Sequence, residues 1–194
     1  ECLDKAANAM RQIAKSGKKD LFVATKKQSR TIISEAARSV GMPFVTERWL
    51  GGMMTNFATI RKSIKKMNNI DRMLADGTLN SVTKKERLTL TRERNKLEKV
   101  LGGIANLNRL PAAMFIVDIH HEHIALAEAK KLGLRTIAMV DTNSDPSTVD
   151  YPIPANDDAS KSIKIISDFM VEAIKEGLNE RRSAKSEREA AKQG

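Results

Sequence analysis

LFVATKKQSRTIISEAARSVGMPFVT, residues 21–46, is the stretch that decides the fold. Its opening LFVAT (21–25) is a short apolar run of strand type. Residues 28–40 then place Ile32, Ile33, Ala36 and Ala37 at helical spacing, and Gly41 closes that helix. PFVT (43–46) reads as a second strand. A strand, a helix and a strand in this order predict parallel pairing through a right-handed crossover.

The same alternation extends to both sides. Upstream, residues 4–16 set Ala7, Met10 and Ile13 on one helical face, and Gly17 ends the run. Downstream, AMFIVD (113–118) is a continuous apolar strand, residues 121–132 form a helix closed by Gly133, and RTIAMVD (135–141) is a further strand. Strands without polar alternation predict a sheet covered by helices on both faces, hence an α/β protein of three layers. YPIP (151–154) is Pro-flanked and fits only an edge strand. Asn156 or Asp157 can cap a helix over 159–178 whose apolar face holds Ile163, Ile166, Met170 and Ile174. Residues 181–194 lack apolar periodicity beyond alanine and predict a flexible tail.

Residues 54–101 interrupt this pattern and hold 12 Lys or Arg against 5 Asp or Glu, +7 of the chain's net +10. Phe57, Ile60, Ile64, Met67 and Leu74 follow coiled-coil spacing with a break at Asp71, and Leu90, Leu97, Leu101 and Ile104 continue it on a second helix. Asp76-Gly77 signals the turn between them, and Thr83 with Glu86 three residues later makes a capping pair. The predicted organisation is a discontinuous α/β domain (1–53 and 102–180), an inserted antiparallel coiled-coil hairpin (54–101) and the tail (181–194).

Charge narrows the function classes. Residues 111–174 carry 5 basic against 10 acidic residues, so the basic excess lies mainly in residues 1–110. A concentrated basic arm grips a polyanion, and nucleic acid fits better than a membrane because no run approaches the roughly 20 apolar residues of a span. Aromatic residues are 4% of the chain, too few for base stacking on aromatic platforms to be the main mode of recognition. The one cysteine, Cys2, allows no intrachain disulfide. The chain starts at Glu1 within what reads as the body of a helix, and an N-terminal truncation is expected.

Several motifs carry competing readings. In ERWLGGMMTN (47–56), Arg48 and Trp49 precede the Gly51-Gly52 pair, and Thr55 or Asn56 can cap the hairpin's first helix. This is either a tight turn around a buried Trp49 or a junction where backbone and Arg48 meet RNA. Thr25-Lys26-Lys27-Gln28 opens a helix after a strand, which suits a phosphate, yet neither glycine-rich nucleotide loop is present. In His120-His121-Glu122-His123 only His120 and His123 share a helix face, so they are weak metal candidates, and a structural zinc or magnesium has no further support. Asp118 and Asp141 end adjacent strands where acid–base chemistry could sit, but no nucleophile accompanies them and turn roles explain them equally. A phosphate-ligand-binding α/β enzyme and a coiled-coil protein-interaction module remain as alternatives.

TKKQ (25–28), RWLGG (48–52) with TN (55–56), LGGI (101–104), RLP (109–111), HEHIA (121–125), VDTN (140–143) with DP (145–146), and DYPIPANDDA (150–159) together resemble the bacterial small ribosomal subunit protein two (S-two) family. The resemblance spans about residues 1–180. It implies a flavodoxin/Rossmann-like three-layer parallel sheet with a coiled-coil insertion, a structural and non-catalytic role, and no cofactor. It implies binding to small-subunit ribosomal RNA, contact with neighbouring ribosomal proteins including the large mRNA-recruiting protein S-one, and a cytoplasmic, ribosomal location. A further N-terminal segment with a G-x-x-F-G-H stretch is usual in the family. Ala24 stands where glycine is common, and Ile119 and His121 depart from proline and lysine. The expected RNA contacts are Lys26, Lys27, Arg30, Arg48, Asn56, Arg61, Lys62, Lys65, Lys66 and Arg109, with Trp49, Gly51 and Gly52 as the structural junction.

Overall fold

Residues 1–191 are described by the computed structural model of the chain. Its strands are β1 (Asp20–Val23), β2 (Phe44–Val45), β3 (Ala113–Val117), β4 (Arg135–Val140) and β5 (Tyr151–Pro154). They form one all-parallel sheet in the order β2-β1-β3-β4-β5. The strand order reverses between β1 and β3, the point where α/β sheets of this type open a crevice at their strand C-termini.

Side chains alternate across the sheet and feed two apolar layers. Phe22, Phe115, Val117, Ile137 and Met139 pack beneath α1 (Cys2–Lys15), α2 (Arg30–Ser39) and α6 (Ser160–Ala190). Phe22 and Phe115 are register partners across β1 and β3 and meet edge to face at 5.4 Å. Leu21, Val23, Met114, Ile116, Ala138 and Val140 face the other way, onto α5 (His123–Lys131) and the foot of the inserted hairpin. Each such side chain removed from water contributes about 1.5–3 kcal/mol, so the two layers supply the main drive for folding. α1 crosses α6 closely at Gly177, where a Cβ would collide with the carbonyl oxygen of Arg11.

The hairpin is α3 (Phe57–Ala75) and α4 (Lys84–Leu101), joined through Gly77 and a short 3-10 turn at Thr78–Asn80. Thr83 caps α4 by accepting a hydrogen bond from the Glu86 N–H. α3 buries Ile60, Ile64, Met67 and Ile70, whereas α4 fully buries only Leu101, with Leu90 and Leu97 half-buried. The sequence pattern broke at Asp71. In the structure Ile70 takes the buried position, and Asp71 accepts a hydrogen bond from Arg94 Nε across the hairpin at 2.6 Å. At the hairpin's foot, Gly102–Ile104 form a further 3-10 turn that covers the edge of β2, with Gly103 so close to Phe44 that a Cβ would overlap its carbonyl oxygen. A two-residue edge strand covered in this way offers little to a foreign strand.

One expectation is corrected. The sequence reading ended the last helix near 178, short of the span 181–194, but α6 continues to Ala190. Strong helix formers and a Lys185–Glu189 ion pair carry it without an apolar face, and Arg181 packs against Gly17. Residues 192–194 of that span lie outside the described residues.

Candidate nucleic-acid interface and its junction

The segment 47–56 turns from β2 into α3, and one buried carboxylate shapes it. Glu128 of α5 accepts hydrogen bonds from Trp49 Nε1 (3.1 Å) and the Gly52 N–H (2.7 Å) through Oε1. Its Oε2 accepts from the N–H groups of Met54 and Thr55 (both 2.9 Å) and from Thr55 Oγ1 (3.1 Å). Burial pushes the Glu128 carboxyl upward, but the N–H groups of Thr55 and Met54, with Trp49 and Gly52, outweigh it and hold the group below the usual glutamate range. Gly52 at φ +84° supplies the left-handed turn that aims successive N–H groups at one carboxylate. Trp49 is buried, with its ring among Met53, Met54 and Ile60. Gly51 is exposed at the outer bend.

A second constellation fills the crevice between β1 and β3. Lys26, just after β1, pairs with Asp118 after β3 and with Asp158 beyond β5, and lies 3.6 Å from Asp157. Burial opposes its charge, yet the hydrogen bonds to Asp118 and Asp158 outweigh that and raise the ammonium above the ordinary lysine value. For Asp118 the balance runs likewise: burial raises it, and Lys26 with the His121 N–H brings it down. Asp118 sits at φ +67°, a left-handed conformation that aspartate tolerates. Asp157 is raised, first by burial and then by the neighbouring Asp118. The three carboxylates offer ligand atoms within 4.8 Å of one another, and the Lys26 ammonium lies among them as their counter-charge. Beside them, Glu122 accepts from the Thr25 N–H at 2.7 Å and locks the start of the TKKQ turn.

The structure groups the sequence-derived residues unevenly. Lys26, Lys27, Arg30 and Arg48 line one crevice of about 450 Å³, walled by Trp49, His121 and Glu122. Within it Lys27 and Arg48 are exposed, whereas Lys26 is committed to carboxylates. Arg30 donates to the Thr25 carbonyl at 2.8 Å and pairs with Glu47 at 3.3 Å. Arg61 donates to the Asn108 carbonyl at 2.7 Å, tying α3 to the loop that carries exposed Arg109. Asn56 occupies the N-cap position of α3 and accepts from Thr59 Oγ1 at 2.9 Å. Further along α3, Lys62 and Lys65 are exposed and Lys66 pairs with Glu93. The metal candidates His120 and His123 are exposed, and His123 Nδ1 lies 3.3 Å from the His120 carbonyl. Neither belongs to a cluster of metal-ligating side chains among the described residues.

Sequence reasoning missed Glu128 and offered Asp157 only as a helix cap; Asn156 Oδ1 instead accepts from the Asp158 and Ala159 N–H groups, and Asp157 is buried beside Lys26. Glu128 sits in a helix among AEAKK, and nothing local marks it as buried. Among the described residues no helix is long and apolar enough to cross a membrane.

The fold and its interface therefore define an α/β protein with flavodoxin-like strand order, a basic helical hairpin anchored at one junction, and a strand-end crevice occupied by the chain's own charges. A family model described as Ribosomal protein S2 matches residues 1–177, and the chain belongs to that family. Among relatives, the small ribosomal subunit protein uS2 of Cytophaga hutchinsonii is 58% identical over 186 residues, 96% of this chain and 73% of that protein. Its counterpart in Porphyromonas gingivalis is 59% identical over 183 residues, 94% of this chain and 65% of that protein. That of Bacteroides fragilis is 55% identical over 189 residues, 97% of this chain and 68% of that protein. The chain thus spans about two thirds to three quarters of the length of these relatives.

Proposed function

We propose that this chain is a structural constituent of the bacterial small ribosomal subunit that binds its ribosomal RNA, works in the cytoplasm and catalyses no reaction. Membership of the Ribosomal protein S2 family over residues 1–177 is the observation that carries this reading. The molecular layout supports it. The basic hairpin (54–101) is a reaching arm, and the α/β body (1–53 and 102–180) is the platform on which it stands. Lysine and arginine side chains along α3 and at its foot neutralise phosphates and set register, so the shape of the RNA is read more than its sequence. Lys27, Arg48, Lys62, Lys65 and Arg109, all exposed, are the leading contacts. Arg30, Asn56, Arg61 and Lys66 act from positions already fixed by protein partners. Lys26 contributes by shaping the crevice.

The acidic stretch 111–174 faces away from RNA, toward solvent or basic protein neighbours. Contact with the large mRNA-recruiting ribosomal protein S-one belongs to the same proposal. No cofactor is needed for any of these roles. An enzymatic reading has little left to stand on, since the strand-end crevice holds a lysine tied to carboxylates rather than a phosphate loop.

The test is charge reversal. Lys62→Glu, Lys65→Glu and Lys66→Glu together should cut incorporation into small subunits while the isolated chain keeps its circular dichroism and melting profile. Incorporation should also weaken steeply between low and moderate salt, in proportion to the phosphates contacted. Undiminished incorporation of the triple variant would remove the hairpin from the RNA interface.

A further inference from the structure

A second cleft, of about 580 Å³, lies where α2, β2 and the foot of α4 meet, outside the crevice at the β1/β3 switch. Arg38 lines it, and its guanidinium lies over the Phe44 ring at 5.0 Å. Arg38 is exposed and makes no ion pair among the described residues. Thr31, Ser34, Thr46 and Asn95 bring hydroxyl and amide groups to the walls. Lys99 and Glu98 stand at the α4 side, and Glu47 lies between Lys99 (3.7 Å) and Arg30 (3.3 Å), so those charges are already partnered. Gly102 and Gly103 also line the cleft, with Gly103 packed directly against Phe44. A planar cation over an aromatic ring, with hydroxyl and amide groups close by, suits a nucleobase. Guanidinium planes are weakly hydrated and stack on bases, and hydroxyls and amides can meet either donor or acceptor edges.

We propose that this cleft receives a single unpaired nucleotide of an RNA chain, its base stacked on Arg38. The proposal rests on the RNA-binding reading above and locates one base-level contact within it. A duplex cannot supply such a nucleotide, so the target is a bulge, a loop or a strand end. Arg38 and Asn95 come from opposite sides of the cleft, one from the body and one from the hairpin. The bound nucleotide would therefore bridge the two parts of the protein.

Small subunits assembled with the wild-type chain, Arg38→Ala or Arg38→Lys would be compared by 2′-hydroxyl acylation of the RNA, nucleotide by nucleotide. One unpaired nucleotide protected by the wild type should become about tenfold more reactive in both variants, the loss expected for one stacked base. The comparison is made at equal occupancy of the protein. Lysine keeps the charge and loses the plane, so full protection by Arg38→Lys would overturn the stacking claim in favour of a phosphate contact. An unaltered profile in Arg38→Ala would overturn it outright. Should either variant fail to incorporate, a benzophenone amino acid at Ser34 or, separately, at Lys65 decides the matter. Cross-linking from Ser34 to one unpaired nucleotide supports the cleft. RNA cross-links from Lys65 but none from Ser34 overturn the cleft alone, and none from either position overturns the RNA-binding reading with it.

Discussion

Glu128 and Asp20 are both carboxylates buried in the same α/β body, and they live in opposite circumstances. Glu128 collects five hydrogen bonds from the 49–55 turn and is held ionised. Asp20, the first residue of β1, is fully buried with neither carboxyl oxygen hydrogen-bonded. Burial, only partly offset by Lys19, pushes its pKa to about 8. A carboxylate in a protein interior organises structure when donors surround it, and it costs stability when none do. The first position holds the hairpin to the body; the second is a weak point at the start of the central strands.

That contrast can be broken most forcefully at Glu128. Glu128→Ala orphans Trp49 Nε1 and three backbone N–H groups, each costing about 1–3 kcal/mol when left unsatisfied, for a total on the order of 5 kcal/mol. Urea unfolding should show the loss, and Trp49 fluorescence should shift to the red as the turn opens. Because the folded-state pKa of Glu128 is depressed, its contribution is present above its unfolded value near 4.5 and lost as pH falls. A variant within 1 kcal/mol of wild type would mean that the turn holds itself.

Asp20 should behave in the reverse sense. The folded chain keeps the proton to about pH 8, whereas the unfolded chain releases it near 3.8. Its contribution is therefore complete below about pH 4 and lost as pH rises through 8. Asp20→Asn should remove this decline, gaining on the order of 5 kcal/mol over wild type at pH 8 and little at pH 4. Melting curves of the two proteins that stay parallel over that range would show that the buried carboxyl finds a partner.

Lys26 sharpens the comparison, because it supplies one shared cation to a carboxylate cluster in which Asp118 and Asp157 are buried and Asp158 is exposed. Lys26→Met leaves Asp118, Asp157 and Asp158 facing each other and should cost about 2 kcal/mol at neutral pH, less at acid pH where the carboxylates take up protons. If stability is unchanged but incorporation into small subunits falls, Lys26 acts on RNA and not on its neighbours.

Much of the fold was legible because apolar periodicity is local. The strands at 113–118 and 135–141 and the Thr83 cap all lie within a residue or two of where the pattern placed them. Asp71 and Ile70 show the limit. Spacing along one helix finds a break, but only the partner helix reveals that Arg94 fills it. The extent of α6 was underestimated for a related reason, since a helix can persist on propensity and ion pairs after its apolar face ends. At the candidate interface the basic residues were visible, but their commitments were not. Lys26 to Asp118, Lys66 to Glu93 and Arg61 to the Asn108 carbonyl all join positions far apart in the chain.

The sequence by itself determined the parallel α/β plan, the place and charge of the hairpin, and the family, since hydrophobic period, net charge and motif order are all one-dimensional properties. The tertiary structure alone decided which charges are free to meet a partner, that Glu128 anchors the hairpin, and that Arg38 lies over Phe44 in an open cleft. Burial and pairing depend on which distant residues arrive at the same point in space, and that information exists only once the chain has folded.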